Sequence, residues 1–184
     1  MSHRSSVSMM SARYVSALFT AALLFACATP HPPLPTVQNV DLNRYYGTWY
    51  EIAMLPNRFQ SMCVSDTRAL YRPDGKDVTV VNQCRTADGT IKQADGIAKQ
   101  VEGSQGAKLR VSFFRPFYGD YWILELDPDY RWALVGEPGR NYAWILARDK
   151  SLDAVTLERL LARAAVLGFD RQAFVRTPQT RSKN

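Results

Sequence analysis

The chain predicts an all-β fold: an eight-stranded antiparallel up-and-down barrel with one C-terminal α-helix packed outside. Three observations carry the prediction. From Gly47 to Arg148, short runs of β type alternate with turn clusters such as RPDGK, TADGT, EGSQGA and EPGRN. Those clusters hold the Gly, Pro, Asp and Asn that tight turns demand, and no helical pattern interrupts the series. After Arg148 the apolar spacing changes once, to that of a helix. Nothing in the 184 residues repeats or marks a second domain.

The strand runs follow in order: TWYEIAML from Thr48, VSDTRALYR from Val64, DVTVVNQCR from Asp77 and TIKQADGIAKQV from Thr90. Then come KLRVSFF from Lys108, DYWILELD from Asp120, WALVGE from Trp132 and YAWILAR from Tyr142. A meander of eight such strands closes on itself because closure removes both exposed sheet edges. KLRVSFF shows the pleat most plainly: Leu109, Val111 and Phe113 face one way, Lys108, Arg110 and Ser112 the other. With the apolar set inward the barrel has an oily interior, which at eight strands side chains nearly fill or one small ligand occupies. In the helical stretch Leu157, Leu160, Leu161, Ala164 and Gly168 share a face. Ser151 is read as its N-cap, Asp153 suits its first turn, and Gly168 ends it. FDRQAFVR reads as a last, short edge strand.

Three motifs resemble those of the lipocalin family. YYGTWYEIAMLPNRF, Tyr45 to Phe59, resembles its first signature; LDPDYRWALV, Leu126 to Val135, its second; WILAR, ending in Arg148, its third. They stand in the family's order, and VSFFRPFYGDYWILELDPDY resembles the bacterial outer-membrane members more closely than it does apolipoprotein D. The resemblance implies a domain over residues 40–176 and a carrier of hydrophobic small molecules. Gly47, Trp49 and Arg148 are expected to close the barrel base, the guanidinium stacking on the indole.

Alternation along the strands nominates the ligand contacts. Trp144, with Leu146, and Phe113 are expected inward, as are Glu51 and Ala53 if the first strand carries no bulge. In DYWILELD the parity is open between Tyr121 with Ile123 and Trp122 with Leu124; Tyr121 and Ile123 are the nominated pair. Phe117 and Tyr118 sit in a loop at the open end. A carboxylate at Glu51 would be costly in an apolar interior unless paired, so a basic side chain or a cationic headgroup such as choline is expected beside it.

The N-terminus has its own reading. An arginine-bearing polar start precedes Tyr14–Ala26, thirteen residues without charge, too short for a bilayer span of about 20. LFAC resembles a bacterial lipobox, which implies a signal peptide over residues 1–26 and acylation of Cys27. Ala28, where an aspartate would retain the protein at the inner membrane, points to the outer membrane, facing the periplasm. The proline-rich residues 27–39 read as a tether, and residues 177–184 as a flexible tail. Cys63 and Cys84 remain, and an even pair in an exported chain is most simply a disulfide.

Composition excludes more than it selects. Arg4 and Arg13 fall in the leader, so the mature chain carries about +4 (21 basic against 17 acidic residues), too mild and scattered for nucleic acid. The two histidines, His3 and His31, lie before the domain, leaving it no imidazole for zinc or for nucleophile activation. No metal and no cofactor is expected. The function expected is an outer-membrane-anchored binder of fatty acids or lysophospholipids that serves membrane maintenance under stress. The alternatives are an enzyme using a free Cys63 thiol and an envelope interaction module; a homodimer is compatible with the sequence.

Overall fold

The computed structural model describes residues 31–180, so the leader and Cys27 lie outside the described residues. A one-turn helix, α1 (Leu42–Tyr45), opens the domain, its start capped by Asp41, whose carboxylate accepts the Asn43 amide at 2.9 Å. Eight strands follow: β1 (Gly47–Met54), β2 (Ser65–Asp74), β3 (Asp77–Arg85), β4 (Ile91–Gln100), β5 (Lys108–Phe114), β6 (Phe117–Leu126), β7 (Trp132–Gly136) and β8 (Ala143–Ala147). Each pairs antiparallel with its neighbour, and β1 pairs with both β2 and β8, closing the barrel. After α2 (Ala154–Val166) comes β9 (Val175–Arg176), paired with the upper end of β1.

Strand alternation splits the apolar residues into two cores. One lies inside the barrel and includes Trp49, Tyr71, Val80, Ala98, Leu109, Ile123 and Leu146. The other lies outside, where Leu124, Leu134 and Ile145 pack with Leu157, Leu160 and Ala164 of α2. The N-cap of α2 is Asp153, which accepts the Thr156 amide at 2.8 Å, and not Ser151, which stands two residues too early. A salt bridge from Arg159 to Glu125, 3.0 Å, ties the helix to β6.

Residues 32–37 and 177–180 are fastened to the barrel. Leu34 is buried in the outer core, the Val37 amide donates to the Ile123 carbonyl, and the Pro32 carbonyl accepts from Arg140. The tail is fastened as far as Thr180. Thr177 donates its amide to the Ile52 carbonyl, Pro178 accepts the Asp66 amide, and the Gln179 side chain donates to the carbonyls of Glu51 and Thr67. These bonds arise because the β1–β2 ladder ends at Tyr50 with Arg68, leaving backbone groups above it that need partners.

Cys63 is bonded to Cys84, stapling the loop after β1 to the top of β3. The bridge spans 21 residues, and closing a loop of that size stabilises a fold by about 3 kcal/mol. Replacing both cysteines by alanine should therefore lower the urea-unfolding free energy by about that much. An unchanged midpoint would show the loop to be held by its other contacts alone.

Candidate ligand-binding site

The base is built first. The Arg148 guanidinium lies 4.0 Å from the Trp49 ring centroid and donates to the carbonyls of Arg44, Tyr45, Thr48 and Tyr130. The Trp49 indole N–H donates to the Tyr45 carbonyl at 2.8 Å. Gly47 has φ +97°, and a Cβ there would stand 3.3 Å from Arg148, so glycine serves both the turn and the approach. Beside Trp49 three phenols converge: Tyr45 and Tyr121 hydroxyls are 2.8 Å apart, and Tyr71 donates to Tyr121 at 3.0 Å. Burial pushes all three phenols upward, Tyr71 to about 12, so they remain neutral donors.

Above that floor the barrel opens. Along the inward face of β4, Lys92 and Ala94 are exposed, Gly96 is half-buried and Ala98 is sealed. On β5 and β6 the same gradient runs from Phe113 and Gly119, both exposed, to Leu109 and Tyr121, both buried. A Cβ at Gly119 would meet nothing within 4 Å. Along β4 the inward face passes from exposed Ala94 to sealed Ala98 over about 13 Å of strand. Its wall is more polar than the sequence promises: Thr67 and Asn82 also face inward by register, and Asn82 Oδ1 meets no donor. A hollow of about 200 Å³ lies outside the wall, among Tyr50, Asp66, Arg68, Arg85 and Lys150.

The nominated residues divide. Tyr121 and Ile123 point inward, which resolves the open parity of β6, and Trp122 points out, with the Lys108 ammonium 3.9 Å from its ring. Trp144 is half-buried at the mouth and donates to Gln60 Oε1 at 3.0 Å. Phe113 is 44% exposed, its ring against Gly96. Phe117 is 71% exposed and stacks on Phe114 at the tip of the β5–β6 hairpin. Tyr118 is a correction: it faces outward, between Lys99 and Arg110, because residues 119, 121 and 123 take the inward positions. Ala53 is another. A bulge at Ile52 leaves Glu51 opposite Leu146 but Ala53 opposite Ile145, so Ala53 turns into the outer core.

Glu51 does lie inside, 3% exposed, yet no basic side chain among the described residues reaches it. Its two oxygens accept from Gln60 Nε2, 2.6 Å, and Thr177 Oγ1, 2.5 Å. Burial raises its pKa, and these two bonds only partly oppose that. Gln60 and Thr177 carry no sequence signal, since one sits in an irregular turn and the other in a segment without periodicity.

A family model described as a lipocalin-like domain matches residues 40–179. The chain is 39% identical over 164 residues to outer membrane lipoprotein Blc of Escherichia coli strain K12, covering 88% of this chain and 93% of that protein. Temperature-induced lipocalin-1 of Arabidopsis thaliana is 38% identical, with 83% and 86% covered. Apolipoprotein D of Macaca fascicularis is 37% identical, with 73% and 72% covered. Among solved structures, insecticyanin from the tobacco hornworm Manduca sexta superposes with TM-score 0.67 at 22% identity, over 82% of this chain and 86% of that one, a likeness of fold.

The raised pKa of Glu51 has a defined sign. The folded state holds its proton more tightly than the unfolded one, so the carboxyl is harmless below its unfolded pKa and progressively destabilises the fold as pH rises through the folded value. Glu51→Gln keeps both hydrogen bonds, the Thr177 hydroxyl reversing to accept. Its stability advantage over the wild type should grow as pH rises from about 4 to about 8. Urea unfolding across that range checks it; a gap independent of pH would show that Glu51 is not strained by its charge.

Proposed function

This chain belongs to the lipocalin family, and we propose that it binds one fatty acid or lysophospholipid in its cup while lipid-anchored through Cys27 at the outer membrane, facing the periplasm. The observation that carries the reading is the exposure gradient down the inward faces, ending at a sealed floor. Such a cup removes one acyl chain from water at about 0.8 kcal/mol per methylene, less the cost of ordering it. Phe59, Met62, Val64, Phe114 and Phe117, all exposed around the mouth, form an apolar rim suited to passing a chain between bilayer and cup. The LFAC motif, Ala28 and the likeness to a protein named outer membrane lipoprotein support the location. A role in membrane maintenance under stress follows from shelter for single-chain lipids, which are released when bilayers are damaged.

The pocket-thiol alternative loses its nucleophile, because Cys63 is bonded to Cys84. Native mass spectrometry of the purified mature protein should show one co-purifying single-chain lipid. Gly119→Phe, which fills the empty space above Tyr121, should abolish uptake of added palmitate and leave the melting temperature within about 2 °C. A variant that still loads palmitate with wild-type affinity would place the ligand outside the cup.

A further inference from the structure

The three phenols on the cup floor do not match their hydrogens. Each hydroxyl carries one donor, and the two contacts, Tyr71 to Tyr121 and Tyr45 with Tyr121, use two of the three. No other hydrogen-bond partner among the described residues reaches any of them. Tyr71 spends its hydrogen on Tyr121, so the spare one sits on Tyr45 or on Tyr121. Tyr45 is 1% exposed and wedged against Trp49 and Tyr71, whose ring centroids are 4.8 and 5.7 Å away. A hydrogen left there would have no acceptor, since Tyr121 is the one hydrogen-bond partner of the Tyr45 hydroxyl among the described residues. Tyr121 is 9% exposed, and the next inward position up its strand is Gly119, with open space where a side chain would stand. The arrangement of lowest cost has Tyr121 accept from both neighbours and direct its own O–H up into the cup.

Charge favours one kind of acceptor there. Arg148, beneath the same phenols, spends its donors on carbonyl oxygens alone, and no carboxylate forms a salt bridge with it among the described residues. The floor therefore offers a neutral donor in the field of an unneutralised cation. We propose that the Tyr121 hydroxyl, oriented by Tyr45 and Tyr71, is the recognition point for the carboxylate of a fatty acid that binds head-down, its chain running up past Phe113 and Trp144 to the aromatic rim. This rests on the lipid-cup reading above and sharpens it. A fatty acid fits the floor, whereas the bulky phosphorylated headgroup of a lysophospholipid must stay at the mouth.

The test uses the mature protein with [1-13C]palmitate and with hexadecane, which has the chain and no head. Bound palmitate should give a carboxyl resonance displaced from that of free palmitate and constant from pH 5 to 9. Tyr121→Phe should weaken palmitate about tenfold and leave hexadecane unchanged, as expected for one lost hydrogen bond to a charged acceptor. Equal losses for both ligands, or a bound carboxyl that titrates as if in water, overturn the head-down placement alone. Wild-type protein that takes up neither ligand overturns the lipid reading, and this placement with it. Should Tyr121→Phe lose its native circular dichroism, the carboxyl resonance in the wild type decides.

Discussion

The contact on which the rest depends is Arg148 against Trp49. A single guanidinium at the end of β8 gathers carbonyls from α1, from the start of β1 and from the turn before β7, while its flat face covers the indole. No hydrophobic residue does both jobs, because the strand ends around the base leave carbonyls that must be hydrogen-bonded. A planar fork of five donors suits several carbonyls at once better than a lysine's point charge does. With the base sealed, Tyr45 is held in place beside Trp49, and its hydroxyl meets that of Tyr121.

The opposite end is organised by other forces. Above Tyr50 and Arg68, strands β1 and β2 part, and the gap is closed by β9 and the tail rather than by a ladder between them. Asp66 illustrates the substitution. Partial burial opposes its ionisation, but bonds from Arg85 and Thr180 prevail and bring its pKa to about 2. Glu51 reaches the tail through Thr177 and the mouth turn through Gln60, which also receives Trp144. One buried carboxyl thus connects the strap, the loop after β1 and β8.

Much of this was legible in the residues, and the failures have physical causes. The eight strands and the late helix announce themselves through turn chemistry and a single change of period. Parity was readable on β5, where Leu109, Val111 and Phe113 alternate with polar neighbours. On β6 it was not, since YWIL is apolar on both faces: one packs inside, the other under α2. Ala53 was misplaced because the bulge at Ile52 answers to α2 and β9, which lie more than a hundred residues away in the chain. The fastening of residues 177–180 was hidden for a related reason. TPQT has no periodicity, and its value lies in backbone and amide bonds to a seam that no local pattern reveals.

The two halves of the barrel are stabilised in different ways because only one can be filled. Near the base, aromatic rings and aliphatic side chains are buried together, and burial supplies the free energy. Over its upper half the barrel forgoes that contribution: Ala94 and Gly119 line it with little or no side chain. What remains available there is reinforcement that needs no packed volume, namely crosslinks and directed polar bonds. The Cys63–Cys84 bridge, the Arg85–Asp66 pair, and the tail bonds of Thr177, Gln179 and Thr180 all lie in that half. Their concentration around the emptiest part of the molecule follows from the space itself, since a wall without a filled core behind it can hold its shape only through its seams.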